Sequence, residues 1–222
     1  MPKILKYCIT ALIGILIGAA LMLLALKLSG VHTFDRLLGI TSAASSPSHT
    51  AGAEVSDAEL TDYAYTILGY IKAGDYEALA DAVHPEYGLV FSPYANISFS
   101  TDKCFTPDQV RRLGTDDTTY IWGTLDGSGA PIEMTPADYF KQFVYDRDYL
   151  NAPVVGVNYI VKTGNALENI TSVFPDIKFV EFHFPPSGAD SDGLDWSTLR
   201  LGFEEYNGAL RLTLILHSQW TV

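Results

Sequence analysis

An α+β domain is predicted by three observations: capped helical stripes at the front of the soluble region, alternating apolar segments behind them, and a hairpin signature near the C-terminus. The first helix opens the domain. Ser56 and Glu59 form an S-x-x-E capping box, whose two side chains satisfy amide donors that a helix start leaves unpaired. Leu60, Ala64, Ile67, Leu68 and Ile71 then recur on one helical face, and Gly74 tolerates the left-handed stop. Asp75 caps a shorter helix that carries Tyr76, Leu79, Ala80 and Val83 on one face and stops before Pro85.

The stretch VHPEYGLVFSPY follows, read as an extended segment from Tyr87 to Phe91, a Ser92-Pro93 turn, and a strand around Ile97 to Phe99. Thr106-Pro107 opens a short helix that Gly114 ends. Tyr120 to Leu125 and Ala130 to Met134 form a hairpin around DGSG, and Thr135-Pro136 starts a helix bearing Tyr139, Phe140, Phe143 and Val144. Residues 154 to 161 and 178 to 184 read as strands. In LRLGFEEYNGALRLTLILH, Asn207-Gly208 favours a two-residue type I′ turn, because both central positions need positive φ. That turn sets a register in which Tyr206 faces Ala209, Glu204 faces Arg211 and Gly202 faces Thr213. Leu199, Leu201 and Phe203 then meet Leu212, Leu214 and Leu216 on the opposite face. The predicted fold class is α+β, with N-terminal helices packed on a curved antiparallel sheet.

One transmembrane helix is expected in front of it. YCITALIGILIGAALMLLAL, between Lys6 and Lys27, is uncharged, and as a helix rising ~1.5 Å per residue it spans about 30 Å, the thickness of a bilayer core. The nearest small-residue cleavage pattern, Ser42-Ala43-Ala44, lies far beyond the apolar run, which favours an uncleaved signal-anchor over a signal peptide. The division is then a short cytoplasmic N-terminus (1–6), a membrane helix (7–27), a juxtamembrane segment and flexible linker (28–54), and an extracytoplasmic domain (55–222), making a single-pass cell-membrane protein. Gly14 and Gly18 form G-x-x-x-G inside the span, which offers one route to a homodimer; pairing through the sheet offers another.

The chain holds 14 Lys and Arg against 26 Asp and Glu. Four of the basic residues and one acidic residue precede residue 51, which leaves the soluble part at a net charge of −15. Nucleic-acid binding needs cations that displace counterions from phosphates, so it is disfavoured. Cys8 lies in the span and Cys104 in the domain, so no disulfide can form within the domain.

HPEYGLVFSPY, YIWGTLDGSGAPIEMTPADYF and the closing FEEYNGALRLTLILHSQWT carry a resemblance. With the element order, they make residues 55–222 similar to the NTF2-like superfamily. More narrowly, they resemble uncharacterised extracytoplasmic domains found behind lipoprotein or membrane anchors in Gram-positive bacteria. The resemblance implies helices packed into the concavity of a bent sheet, and it implies no particular activity.

Signatures of catalysis such as G-x-S-x-G, H-E-x-x-H, C-x-x-C and the P-loop are absent, and no cofactor is expected. Glu181 and His183 alternate away from Val180, Phe182 and Phe184, and the hairpin's mixed face adds Arg200, Glu204, Arg211 and His217. Converging, these residues would line a polar cavity able to orient a ligand, with Glu181 and His183 as an acid–base pair. On an outer face, Glu204 and Arg211 would be a cross-strand ion pair. His84, at a helix end, is either a third candidate acid or base or a cap for the last carbonyls. Asp190, Asp192 and Asp195 in GADSDGLDW have the chemistry for Ca²⁺ without the full EF-hand spacing, which favours a plain polar turn over a metal site. The expected role is a binding or interaction module at the cell envelope, taking a small ligand or an envelope component. An isomerase-like or hydrolase-like enzyme of the cone fold and a sheet-paired structural subunit are the alternatives.

Overall fold

The computed structural model describes residues 55–188 and 192–221. The span expected at 7–27 with Gly14 and Gly18, the linker to residue 54, and Asp190 lie outside the described residues. Among the described residues, no helix is long and apolar enough to cross a membrane.

Helix α1 (Asp57–Ala73) begins at the expected capping box. The Glu59 amide donates to Ser56 Oγ at 3.3 Å, and the Ser56 amide donates to the Glu59 carboxylate at 3.0 Å. Caps of this kind stabilise a helix by ~1 kcal/mol. Gly74, at φ 67°, ends α1 in the left-handed conformation, and Asp75 caps α2 (Tyr76–Ala82) by accepting from the Ala78 amide at 3.0 Å. The remaining elements are β1 (Leu89–Ser92), β2 (Lys103–Phe105), α3 (Pro107–Arg112), β3 (Tyr120–Thr124), β4 (Pro131–Met134) and α4 (Pro136–Tyr139), which continues as a π-helical turn over Phe140–Val144. After them come β5 (Val154–Val157), α5 (Ile170–Val173), β6 (Lys178–Phe184), β7 (Ser197–Tyr206) and β8 (Ala209–Gln219).

The architecture is α+β. Six strands form one sheet in the order β2-β1-β8-β7-β6-β5, and β3 with β4 forms a separate hairpin. Two strand expectations need correction. The sheet is mixed rather than antiparallel, because β1 runs parallel to β8. The cause lies where the chain leaves α2: Val83 bridges to Leu212 and the His84 amide donates to the Leu212 carbonyl at 3.0 Å, so the chain enters the sheet alongside the start of β8. Residues 97–99 also form no strand. Asp102 accepts the Ser98 amide at 2.9 Å, while the Ser98 carbonyl accepts the Thr101 and Asp102 amides, and this turn replaces ladder bonds. The strand forms six residues later, as β2.

The terminal hairpin keeps its expected register only near the turn. Asn207 and Gly208 both have positive φ, Tyr206 pairs with Ala209 and Glu204 with Arg211. Phe203 pairs with Leu212, but Gly202 pairs with Leu214, which leaves Thr213 as a one-residue bulge. Side chains alternate with a period of two, so one extra residue exchanges the faces of everything beyond it. Leu212 and Ile215 therefore join Leu199, Leu201 and Phe203 on the helix side, whereas Leu214 and Leu216 turn to the opposite side. Gly202 permits this crossing: a Cβ there would lie 2.5 Å from Ile177 Cδ1 and 3.0 Å from Leu214 Cβ.

Both faces of the sheet are consequently buried. On the helix side, Phe91, Phe105, Trp122, Tyr139 and Phe143 pack as a continuous aromatic core; Trp122 stacks on Tyr139 with ring centroids 3.9 Å apart, and its Nε1 donates to the Met134 carbonyl. On the other side, Ile170, Phe174 and Ile177 cover Val90, Phe179, Leu214 and Leu216.

Gly88 has φ 75°, and a Cβ on it would meet the Phe105 carbonyl oxygen at 2.6 Å. Gly88→Ala combines left-handed strain with a backbone clash and is expected to cost ~2 kcal/mol, which lowers the melting temperature of a domain this size by roughly 4–8 °C. Calorimetry of the variant checks this; an unchanged melting temperature contradicts it.

Candidate functional site

Glu181 and His183 of β6 and Arg200 of β7 lie inside the protein. Glu181 pairs with Arg200 across the two strands, and both are fully buried. Arg200 Nη2 and Nε donate to Glu181 Oε2 at 2.7 and 3.0 Å, and Nη1 donates to Glu168 Oε2 at 2.9 Å. The other Glu181 oxygen accepts the amides of Val161 and Lys162 at 3.1 and 3.3 Å. These bonds clamp the segment between β5 and β6 onto the sheet. Burial raises the Glu181 pKa, with Arg200 opposing it; the Arg200 pKa, depressed by its own burial, is raised on balance by Glu168 and Glu181. His183 shares this face, with Nδ1 2.9 Å from Thr198 Oγ1, and burial together with the charge of Lys162 lowers its pKa.

His217 sits on the opposite face from Arg200, since it lies beyond the Thr213 bulge. There it meets a group that sequence reading does not assemble. Its Nε2 is 3.3 Å from Ser197 Oγ and 3.4 Å from Asp146 Oδ1. Ser197 Oγ donates to Asp146 Oδ2 at 2.9 Å, and Tyr149 Oη donates to Asp146 Oδ1 at 2.7 Å and lies 2.5 Å from Ser197 Oγ. The residue types are those of a serine hydrolase, but the wiring differs. In a catalytic triad the acid binds the imidazole nitrogen remote from the serine. Here serine and aspartate crowd the same nitrogen, and His217 Nδ1 is buried without a partner. Ser197 is itself buried and bound to Asp146, so the group acts as a polar tie between β7, β8 and the segment after the π-helical turn. Burial opposes ionisation of Asp146, but its bonds to His217, Tyr149 and Ser197 outweigh that and hold its pKa below the usual aspartate value.

Glu204 and Arg211 face each other in register yet form no ion pair. Arg211 Nη1 donates to the Asp81 carbonyl at 2.7 Å, while Glu204 Oε2 and Arg211 Nε are buried with no hydrogen-bond partner. Burial raises the Glu204 pKa. The four ligand candidates therefore do not converge: Arg200 is clamped, His217 lies on the far face, and Glu204 and Arg211 lie past the bulge, toward the turn. His84 Nδ1 accepts the amides of Glu86 and Tyr87 at 3.2 and 3.0 Å and stacks on Tyr87. It organises the turn that follows it rather than capping the carbonyls before it. Asp195 accepts the Ser187 amide at 3.2 Å and the Ser187 hydroxyl, and Asp192 has φ 50° in the same loop. Among the described residues, no three His, Cys, Asp or Glu side chains are grouped to hold a metal.

An open site lies elsewhere, at the far end of VHPEYGLVFSPY. A cleft of about 660 Å³ is walled by the turn after β1, the β3–β4 turn and the loop at 165–167. Neither Glu181 nor His183 lines it. Its polar groups are held in place by hydrogen bonds to one another and to the backbone. Asp102 accepts Ser92 Oγ at 2.7 Å and the Ser98 amide at 2.9 Å, and burial still raises its pKa. Asp126 accepts the Thr221 hydroxyl and the Gly127 amide, and Asn165 exchanges two hydrogen bonds with the Thr221 backbone. The signal available in sequence was the density of Asn, Ser, Thr and Asp in PYANISFSTD. Only the fold brings that stretch against Asp126 and Asn165, far along the chain. Comparison with family models, curated proteins and solved structures returns no match to this chain.

Two consequences follow for stability. Arg200→Met leaves the Glu181 and Glu168 carboxylates without their cation and is expected to cost about 3–5 kcal/mol, much of which Glu181→Leu recovers in the double variant; urea unfolding of the two variants tests this. Asp146, with its pKa depressed, contributes stability that is present above the ordinary value of 3.8 and lost as pH falls through its lower folded value. Asp146→Asn is thus expected to flatten the fall in stability below that pH, measured by acid titration of the unfolding midpoint; an unaltered acid limb contradicts the assignment.

Proposed function

We propose that this chain is a membrane-anchored domain of NTF2-like architecture, facing outward from the cell, that works by binding at the cell envelope. The observation that carries the reading is a contrast. The helix side of the sheet, where a cone-fold enzyme would keep its cavity, is filled by Phe91, Phe105, Trp122, Tyr139 and Phe143, while a cleft lined by polar groups stands open at the edge of the domain. The acid–base candidates favour the same choice. Glu181 is bound to Arg200 and two amides, His183 to Thr198, and His84 to two amides. The uncharged segment at residues 7–26 and the acidic balance of the rest support an anchored, outward placement.

The full chain, tagged at its C-terminus and expressed in a Gram-positive host, is expected in the membrane fraction with its tag cleaved by protease added to intact cells. A protected tag removes the outward placement. Solubilised in detergent, the full chain is expected to sediment with purified cell-wall sacculi. Leu167→Glu with Leu125→Ala, both lining the cleft, should weaken that retention by roughly tenfold or more, a loss of about 1.4 kcal/mol. Glu181→Gln with His183→Asn should leave it unchanged. Retention that follows the second pair instead of the first overturns the binding role of the cleft.

A further inference from the structure

The cleft does not end at the 165–167 loop. A second depression of about 710 Å³ shares Tyr94, Leu125, Asp126 and Gly127 with it and continues over Gln219, Trp220 and Thr221. Each volume falls within the roughly 300–1,000 Å³ range of small-molecule sites, and through their shared residues the two join as one groove.

Its lining is chemically selective. No Lys or Arg lines either depression, and Asp102 and Asp126 are the charged groups, on a chain of net charge −12. An anionic ligand would meet like charge without a compensating cation. The other polar groups are neutral amides and hydroxyls, Asn96, Ser98, Thr101, Thr124 and Asn165, which offer both donors and acceptors along the groove rather than one point of charge. Apolar surface is present as well. Trp122 and Trp196 are buried, but Trp220 is 39% exposed at the second depression, and Leu125 and Leu167 are exposed at the first. The groove therefore combines an exposed indole, carboxylates held in fixed positions and a run of neutral hydrogen-bonding side chains. That combination fits a ligand with a C–H face to lay on the indole and adjacent hydroxyls to donate to carboxylate oxygens.

We infer that the groove binds a neutral oligosaccharide, with Trp220 as the stacking surface and Asp126 and Asn165 as hydroxyl-binding groups. Thr221 couples these parts: it follows Trp220, and its hydroxyl and backbone hold Asp126 and Asn165. The inference rests on the binding role proposed above and names the ligand class of the same site.

The test is titration of the detergent-solubilised full chain with chitotetraose, cellotetraose and maltotetraose, followed by tryptophan fluorescence and calorimetry, with tetragalacturonic acid as the anionic control. At least one neutral tetrasaccharide is expected to bind with submillimolar affinity, and its monosaccharide at least about tenfold more weakly. Trp220→Ala should reduce the affinity about tenfold or more, and Trp220→Tyr should restore most of it. Asp126→Asn should weaken binding, with thermal melts confirming that each variant is folded. Binding of the anionic control alone, no binding of any neutral tetrasaccharide, or binding indifferent to Trp220→Ala in a folded protein overturns the inference. If sacculi are still retained through the cleft while no tetrasaccharide binds, the ligand class falls and the binding role stands. If both fail, both readings fall.

Discussion

A single inserted residue, Thr213, governs how this domain distributes its apolar surface. The hairpin from Ser197 to Gln219 is long enough to serve as the spine of the sheet, and without a break its leucines would all face the helices. The bulge divides them: Leu212 stays with the helix-side core, which Ile215 joins, and Leu214 and Leu216 form a second core on the other side. A sheet that is apolar on both faces must be covered on both. The long connection between β5 and β6 provides that cover, using Ile170, Phe174 and Ile177.

That cover also accounts for the buried charges. Arg200 and Glu181 face the second core, so each loses water and must find partners within the protein. Glu168 and the amides of Val161 and Lys162, all from the covering segment, supply them. On the helix side the same logic applies to His217, which the bulge turns inward to meet Asp146, Ser197 and Tyr149. Both polar clusters resemble catalytic machinery in composition. In geometry they are ties, because Arg200 is bonded to Glu181 and Glu168, and Ser197 and Tyr149 are bonded to Asp146.

The groove at the end of the sheet has a different character. Its side chains are fixed by hydrogen bonds, such as Ser92 to Asp102 and Thr221 to Asp126, yet remain along an open surface. Held in this way, Asp102 and Asp126 do not have to lose further conformational freedom to meet a ligand. The stretch VHPEYGLVFSPY joins the two regions. His84 organises the entry to β1, and Pro93 with Tyr94 begins the wall of the cleft.

Local chemistry was legible in the sequence because its causes are local. The Ser56–Glu59 box, the Gly74 stop, the Thr106-Pro107 helix start, the β3–β4 hairpin and the Asn207-Gly208 turn each depend on residues a few positions apart. The mixed sheet, the face on which His217 lies and the cleft were not legible. The first needs Val83 beside Leu212, the second needs space over Gly202 for Ile177 and Leu214, and the third needs PYANISFSTD against Asp126 and Asn165. By itself the sequence determined an acidic α+β domain with its helix ends and turns in place. Tertiary structure decided which polar residues face inward, because a strand's alternation is known only relative to a register, and packing between distant segments sets that register.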